Sequence, residues 1–156
     1  AVHNIDLLRW TMGEVQEVHA YATHVMPFYP LDDNYVCDLS FHSGRLGRVL
    51  LALGSRLKNK FMFDLRVYGP QGILSADLQR AQVVQNLAAA EGKEPLALPV
   101  SEENGHYRAI AHFVACLREG KRPLVDAAEG ARTVAVCLAV IQSAREKRSV
   151  KVRTDM

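Results

Sequence analysis

The sequence predicts an α+β fold, with a large, mostly antiparallel open sheet and helices packed on one of its faces. Two hairpin patterns in the first half of the chain predict the sheet, because apolar and polar residues alternate on both sides of each turn. Two amphipathic helical patterns follow in the second half. Strands and helices do not alternate regularly, so a parallel sheet built from βαβ units is not expected.

The first three segments are predicted to be a helix, a strand and a loop. Four apolar residues recur at helical spacing at the start: Val2, Ile5, Leu8 and Met12. Gly13 suits the position just past a helix end, so we expect a helix over residues 2–12. The stretch VQEVHAYA (15–22) carries β-branched and aromatic residues in rough alternation and predicts a strand. Two prolines and two aspartates in residues 26–34 predict a loop.

Two hairpins are predicted to form the sheet. The first alternates from Tyr35 to Phe41, turns at residues 43–44 and returns over 45–57. The second alternates over 61–67, turns in YGPQG (68–72) and returns over 73–77. Residues 81–87 are a candidate for a further strand, and residues 88–95 for a surface connection. Four polar residues lie opposite the aromatic ones, so this sheet face is expected to meet water or a polar partner: Asp38, Ser40, Asp64 and Arg66.

Two amphipathic helices and a short edge strand complete the predicted fold. The first helix runs from Ser101 to Gly120, and each helix is expected to pack by one apolar stripe. Asp126 and Glu129 have a D-x-x-E spacing like that of a capping box and begin a second helix that reaches Lys147. The two stripes consist of Tyr107, Ile110, Val114 and Leu117, and of Ala131, Val134, Leu138 and Ile141. SVKVRT at the end alternates as an edge strand.

Length and charge indicate one ordinary globular domain over residues 1–156. The net charge of +2 comes from 19 basic and 17 acidic residues without the basic stripe of a nucleic-acid-binding protein, so no nucleic-acid partner is expected. A basic cluster near the C-terminus is interpreted as a solvated helix end: Arg145, Lys147, Arg148, Lys151 and Arg153. No apolar run is long enough to span a bilayer, so no membrane role is expected.

The three cysteines indicate a reducing cytoplasm. Cys37, Cys116 and Cys137 are odd in number and widely spaced, which fits neither a disulfide framework nor a metal motif. Cys116 and Cys137 fall within apolar helical patterns and are interpreted as core residues. The six histidines show no metal-ligand spacing, so no metal site is expected.

A functional site is predicted on the first helix, where His3, Asp6 and Trp10 share one face. Imidazole exchanges protons near neutral pH, which makes His3 a candidate general acid or base beside a carboxylate. A plainer interpretation leaves His3 as a frayed terminal residue and pairs Asp6 with Arg9 on a solvated face. Spacing alone favours this second interpretation.

A family resemblance favours the catalytic interpretation of His3 instead. VHNIDLLRWTMG (2–13) resembles G-V-H-x-I-D-x-x-R-W-x-x-G, which begins the C-terminal domain of the Gfo/Idh/MocA family of NAD(P)-dependent oxidoreductases. Later segments resemble the sheet hairpins, closing helices and last strand of that domain in the same order: SGRLGRV (43–49), LRVYGPQGILSAD (65–77), FVACLREGKRP (113–123) and residues 126–152.

The resemblance implies a role for each residue near the start. His3 falls on the family's catalytic histidine, while Asp6 and Asn4 are expected to bind substrate or support the helix. The N-terminal Rossmann domain that holds NAD or NADP in the family is absent from the sequence, as is any G-x-G-x-x-G fingerprint that opens a helix. We therefore expect the chain to be the C-terminal part of a longer protein, with no cofactor-binding residue and no turnover of its own.

The implied complete enzyme is an oxidoreductase acting on a sugar, a polyol or a related hydroxy compound, with this domain as its substrate-binding and dimerisation part. Homodimers or higher oligomers are expected to form through the polar sheet face. Two alternatives stay open. The chain is a non-catalytic, self-associating assembly module, or its parent has a non-dehydrogenase activity that uses the bound nicotinamide transiently.

Overall fold

The computed structural model describes residues 2–53, 64–77, 82–87, 96–98 and 104–153. Their order of elements confirms the α+β class. The elements are α1 (Val2–Met12), β1 (Val15–Thr23), β2 (Asn34–Phe41), β3 (Leu46–Ala52), β4 (Asp64–Gly69), β5 (Gly72–Asp77), β6 (Gln82–Leu87), β7 (Leu96–Leu98), α2 (Gly105–Glu119), α3 (Ala127–Glu146) and β8 (Val150–Lys151).

The described strands form two antiparallel sheets of four strands each. The first has the order β3-β2-β1-β8 and belongs to a compact unit of residues 1–56 and 122–156. The second has the order β4-β5-β6-β7 and belongs to a unit of residues 57–121. Both predicted hairpins are confirmed, although residues 54–57, 61–63 and 88–95 lie outside the described part. The strand β7 was not predicted, because three residues are too few for an alternating pattern to be recognised.

The polar face predicted from the alternation is divided between the two sheets. Asp38 and Ser40 lie on β2 of the first sheet, whereas Asp64 and Arg66 lie on β4 of the second. Alternation shows which residues of one strand share a face, but it does not show which strands share a sheet. The four residues therefore belong to two different sheets rather than to one.

The core of the first unit lies between the inner face of its sheet and the helices α1 and α3. The buried apolar residues include Ile5, Leu8, Val18, Ala20, Cys37, Leu39, Phe41, Val49, Val136 and Val140. Gly47 on β3 lies close to the core, and a Cβ atom there would stand 3.1 Å from the ring of Phe41. A larger residue at this position would therefore require the Phe41 ring to shift.

The predicted helix ends are largely confirmed. α1 ends at Gly13, whose φ of +97° favours glycine and whose N–H donates to the Arg9 carbonyl at 2.9 Å. Asp126 caps α3 by accepting the Glu129 N–H at 2.9 Å, as its D-x-x-E spacing predicts. The cap of α2 is Asn104, three residues after the predicted start.

The apolar stripes predicted for α2 and α3 do not form the core. Tyr107 of α2 exposes 65% of its surface, and Ile110 and Leu117 are similarly exposed. On α3 the exposed residues are Val134, Leu138 and Ile141, and the buried face instead contains Thr133, Val136, Val140 and Ser143. A periodic pattern indicates which residues share a helix face, but not which of several apolar faces is covered.

Ser143 joins α3 to the edge of the first sheet. The strand β8 pairs with β1 only at Val18 and Glu17, so the Ala20 N–H lies beyond this pairing. That N–H donates to the Ser143 hydroxyl at 2.9 Å, and the hydroxyl donates to the Arg148 carbonyl at 2.6 Å. A fully buried side chain thus satisfies two backbone groups that lack strand partners.

Candidate active site

The three residues predicted to form the site lie on α1 in different environments. His3 and Asp6 are both exposed, and Asn4 is half-buried. Trp10, on the same helix face as His3 and Asp6, exposes 84% of its surface. The opposite face buries Ile5 and Leu8 in the core. α1 therefore presents its histidine outwards from a helix that is anchored along its other side.

Asp6 connects α1 to α3 rather than standing free. Its Oδ1 atom accepts a hydrogen bond from the Thr133 hydroxyl at 2.7 Å. An Arg9 guanidinium nitrogen lies 3.8 Å from the same carboxylate oxygen. The contact supports the expected helix-supporting role of Asp6, because it ties the helix that carries His3 to the longest helix of the first unit.

Arg9 is the centre of a hydrogen-bond network that the sequence did not reveal. Its Nε and Nη2 atoms donate to the two carboxylate oxygens of Glu14, at 3.1 and 2.7 Å. Nη2 also donates to the Glu129 carboxylate at 3.2 Å. Nη1 donates to the Glu129 carbonyl at 3.2 Å and to the Thr133 hydroxyl at 2.7 Å. All five N–H donors of a guanidinium are satisfied in this arrangement.

Burial makes this network more than a surface ion pair. The Arg9 side chain is only 5% exposed, whereas the simpler sequence interpretation placed it on a solvated face beside Asp6. Burial disfavours its charged form, but the hydrogen bonds and charges of Glu14 and Glu129 outweigh that effect and raise the pKa of Arg9. Glu129 lies in the first turn of α3, where a carboxylate also suits the helix dipole.

The other histidines and the cysteines lie in several different surroundings. No group of three or more potential metal ligands occurs in the part of the chain that the structure describes. Burial raises the pKa of the Cys37 thiol to about 11 and also raises that of Cys137, which keeps both protonated at neutral pH. Cys116 lies 3.6 Å from an imidazole nitrogen of His112, one helical turn away, a basic neighbour that the sequence interpretation overlooked.

The outer face of the first sheet carries a polar row beside an apolar row. In the polar row His19, Asp38 and Arg48 are neighbours across β1, β2 and β3, and Arg48 donates to both carboxylate oxygens of Asp38 at 2.6 and 2.9 Å. The Arg48 guanidinium holds the pKa of Asp38 below its ordinary value. The next row is exposed and apolar: Tyr21, Val36 and Leu50. The predicted polar face is thus only partly polar.

A family model described as "Oxidoreductase family, C-terminal alpha/beta domain" matches residues 1–152, almost the whole chain. The chain belongs to the Gfo/Idh/MocA oxidoreductase family. This membership confirms the resemblance of the segment that contains His3, Asp6 and Arg9 to the start of the family's C-terminal domain. Among the described residues, no helix is both long and apolar enough to cross a membrane.

Characterised relatives and solved structures show what this Gfo/Idh/MocA domain is similar to. A D-apiose dehydrogenase of Paraburkholderia graminis is 23% identical over 98% of the chain and 44% of its own length. The WlbA dehydrogenase of Bordetella pertussis, solved with NADH and UDP-GlcNAcA, is 24% identical with a TM-score of 0.74, and the match covers 97% of the chain and 43% of WlbA.

A second solved neighbour shares the fold more closely. A levoglucosan dehydrogenase, solved with NADH and levoglucosan, is 19% identical with a TM-score of 0.85, and the match covers 98% of the chain and 49% of that protein. At these identities the likeness of the structures establishes the fold alone. The chain spans about half the length of the proteins that it matches.

Proposed function

We propose that the chain is the substrate-binding and self-associating domain of an NAD(P)-dependent oxidoreductase that acts on a sugar, a polyol or a related hydroxy compound. The observation that carries this proposal is the exposed imidazole of His3 on a helix that Asp6 and Arg9 tie to α3 and that buries Ile5 and Leu8 on its opposite face. An exposed histidine on an anchored helix has the access to substrate that a general acid or base needs.

The relatives support the class of substrate and cofactor. D-apiose and levoglucosan dehydrogenases act on sugar-type compounds by name, and solved neighbours contain NADH. We propose the same class of substrate and a nicotinamide cofactor for the complete protein, in which a further domain would hold NAD or NADP. Cys37, Cys116 and Cys137 form no disulfide with one another, which supports our placement of the protein in a reducing cytoplasm.

The residues of this chain would supply proton transfer and positioning. A nicotinamide cofactor bound to the complete protein would supply the hydride transfer at the substrate carbon. His3 takes the proton from the substrate hydroxyl during oxidation and returns one to the carbonyl oxygen during reduction. Asp6 holds α1 against Thr133, and Asn4, one residue from His3, is a candidate for a substrate hydrogen bond.

Replacement of the histidine in the complete protein tests this proposal. We expect His3→Ala to lower turnover by roughly 10² to 10⁴, the usual contribution of a general acid or base. His3 is exposed, so the variant should retain the stability of the parent protein. His106→Ala, which removes an exposed histidine at the start of α2, is the matched control and should retain full turnover. Unchanged turnover of His3→Ala would contradict the assignment.

Two alternatives make different predictions in the same experiment. A non-catalytic assembly module is favoured by the exposed apolar row of Tyr21, Val36 and Leu50, and it requires no turnover from any form of the complete protein. A family member that uses nicotinamide transiently would convert substrate without net accumulation of NADH or NADPH. Product analysis alongside nucleotide absorbance separates both cases from a dehydrogenase.

A further inference from the structure

A shallow cleft of about 380 Å³, widely open to solvent, lies between the β1–β2 loop and the last turn of α3. Its lining residues all belong to the first compact unit, and none belongs to the Arg9 network or to the site around His3. They are His24, Tyr29, Pro30, Leu31, Asp32 and Arg145. The cleft therefore combines two oppositely charged groups, an imidazole and a phenol with a small apolar surface.

Asp33 holds the loop that forms one wall of this cleft. Its fully buried carboxylate accepts the backbone N–H groups of Val25 at 3.0 Å and Met26 at 2.6 Å, and the Asn34 amide at 2.6 Å. Its own backbone bonds to the Thr23 carbonyl and the Leu53 N–H close the base of the loop. A loop fixed in this way forms the cleft before any ligand arrives, which lowers the entropic cost of binding.

One imidazole nitrogen of His24 is fixed and the other is left for a ligand. The Nδ1 atom lies 2.7 Å from the Leu31 carbonyl oxygen. A carbonyl oxygen only accepts hydrogen bonds, so Nδ1 must carry the proton that it donates. In the neutral ring Nε2 is then an acceptor, suited to a hydroxyl donor.

Arg145 and Asp32 are charged groups without a hydrogen-bond or ion-pair partner among the described residues, unlike Arg9, Arg48 and Arg148. Both act on the nearby phenol of Tyr35. Burial and the Asp32 carboxylate raise the pKa of Tyr35, and the Arg145 guanidinium opposes them. The cleft thus places an available guanidinium and an available carboxylate around one cavity.

We propose that this cleft binds a small polyhydroxy carboxylate of the sugar-acid class. Arg145 matches the planar carboxylate of such a ligand, and Asp32 and His24 accept hydrogen bonds from its hydroxyl groups. Tyr29 and Pro30 provide apolar surface for the carbon face of a sugar ring. A bare inorganic anion fits less well, because it lacks the several hydroxyl groups from which Asp32 and His24 would accept hydrogen bonds.

The proposal does not rest on hydride transfer, because binding is measured without cofactor or turnover. Calorimetric titration of the 156-residue chain with D-galacturonate should show one site. D-galactose, which lacks the carboxylate, should bind at least about tenfold more weakly, the usual loss when a charge-assisted hydrogen bond is removed. Asp32→Asn should weaken galacturonate binding by a similar factor, since it replaces an oxygen acceptor with an amide donor.

Arg145→Gln and Arg148→Gln form a matched pair for this test. Both remove one positive charge near the end of α3, but Arg148 pairs with Glu146 and does not line the cleft. We expect Arg145→Gln to weaken galacturonate binding at least about tenfold and Arg148→Gln to leave it unchanged. Circular dichroism should show native secondary structure for both variants.

Four results would overturn the proposal. The first is that no galacturonate binding is detected up to about 10 mM, and the second is that Arg145→Gln and Arg148→Gln lose galacturonate affinity equally. The third is that inorganic phosphate binds as tightly as galacturonate, and the fourth is that His3→Ala abolishes galacturonate binding. The last result would place the ligand at the site around His3. Failure of His3→Ala to affect turnover in the complete protein would leave the cleft proposal intact, so the two proposals fail separately.

Discussion

Arg9 illustrates how a residue with the appearance of a surface cation in the sequence acquires a different role in the fold. Its position three residues after Asp6 suggested a simple pair on one helix. The structure instead buries it between α1 and α3, where its partners include Thr133 and Glu129, more than a hundred residues away along the chain. No local pattern can reveal a contact over such a separation.

We expect Arg9→Lys to lower the free energy of unfolding by about 2 to 3 kcal/mol. Lysine keeps the charge but offers three donors from one nitrogen, whereas the Arg9 guanidinium donates five hydrogen bonds to Glu14, Glu129 and Thr133. The loss is smaller than for a fully buried pair, because both glutamates reach solvent. Urea denaturation of the chain measures it.

The control for Arg9→Lys is Arg48→Lys, which changes an exposed bidentate pair with Asp38. Its urea midpoint should stay close to that of the parent chain, because solvent already screens the pair. Equal shifts of the urea midpoint in the two variants would show that the buried Arg9 contributes no more to stability than the exposed Arg48.

Asp33 makes stability depend on pH in a predictable direction. Burial disfavours its charged form, but the N–H groups of Met26 and Val25 outweigh this effect and hold its pKa below the ordinary value. The folded protein therefore binds this proton less readily than the unfolded chain. Its contribution to stability is present above the ordinary aspartate pKa and is lost as the pH falls through the lowered pKa.

Asp33→Asn tests this contribution, since the amide group turns a donor towards Val25 or Met26. We expect a lower urea midpoint at neutral pH and a smaller loss of stability on acidification below about pH 4. Asp32→Asn is the neighbouring control and should keep the parent's midpoint, because Asp32 has no hydrogen bond to another described residue. Identical pH profiles for the parent and Asp33→Asn would contradict this role.

At the scale of elements, the sequence predicts where helices and strands lie better than which of their faces are covered. Local signals such as Gly13 and the Asp126–Glu129 spacing fixed two helix ends correctly, because capping depends on neighbouring residues. The α3 pattern VAVCLAVI offers apolar residues on several sides. Thr133 and Ser143 mark the buried side instead, since each satisfies a buried polar group of another element.

Ser143→Ala tests the connection between α3 and β1. The variant leaves the Ala20 N–H and the Arg148 carbonyl without the hydroxyl that now satisfies them. We expect the free energy of unfolding to fall by about 1 to 3 kcal/mol, the usual cost of a buried unsatisfied group. Ser149→Ala, at an exposed serine next to His19, is the control and should change stability little. A negligible effect of Ser143→Ala in urea denaturation would show that water replaces the hydroxyl.

At the scale of the whole molecule, the family and the helix that carries His3 could be predicted because an ordered set of short motifs identifies them. The cleft at Arg145 could not be predicted from the sequence, because it lies between a loop and a helix end more than a hundred residues further along the chain. The apolar row on the outer sheet face was also missed. It forms only when Tyr21, Val36 and Leu50 become neighbours across three strands.

The apolar row on the outer sheet face is where we expect the predicted self-association to occur. Tyr21, Val36 and Leu50 are exposed side by side, and Leu50 alone exposes 68% of its surface. A two-fold dimer brings the same patch of each copy together, so an apolar row beside the charged pair of Asp38 and Arg48 suits a self-complementary interface. We expect the chain to sediment as a dimer or a higher oligomer.

Leu50→Glu should shift sedimentation towards the monomer, because the two introduced carboxylates would lose their hydration and repel each other at the interface. Leu124→Glu, which adds the same charge at an exposed leucine outside the sheet, should associate like the parent chain. A parent chain that stays monomeric at high concentration would contradict self-association itself. A dimer that survives Leu50→Glu would place the interface on another surface, and the outer sheet face would then need a different partner.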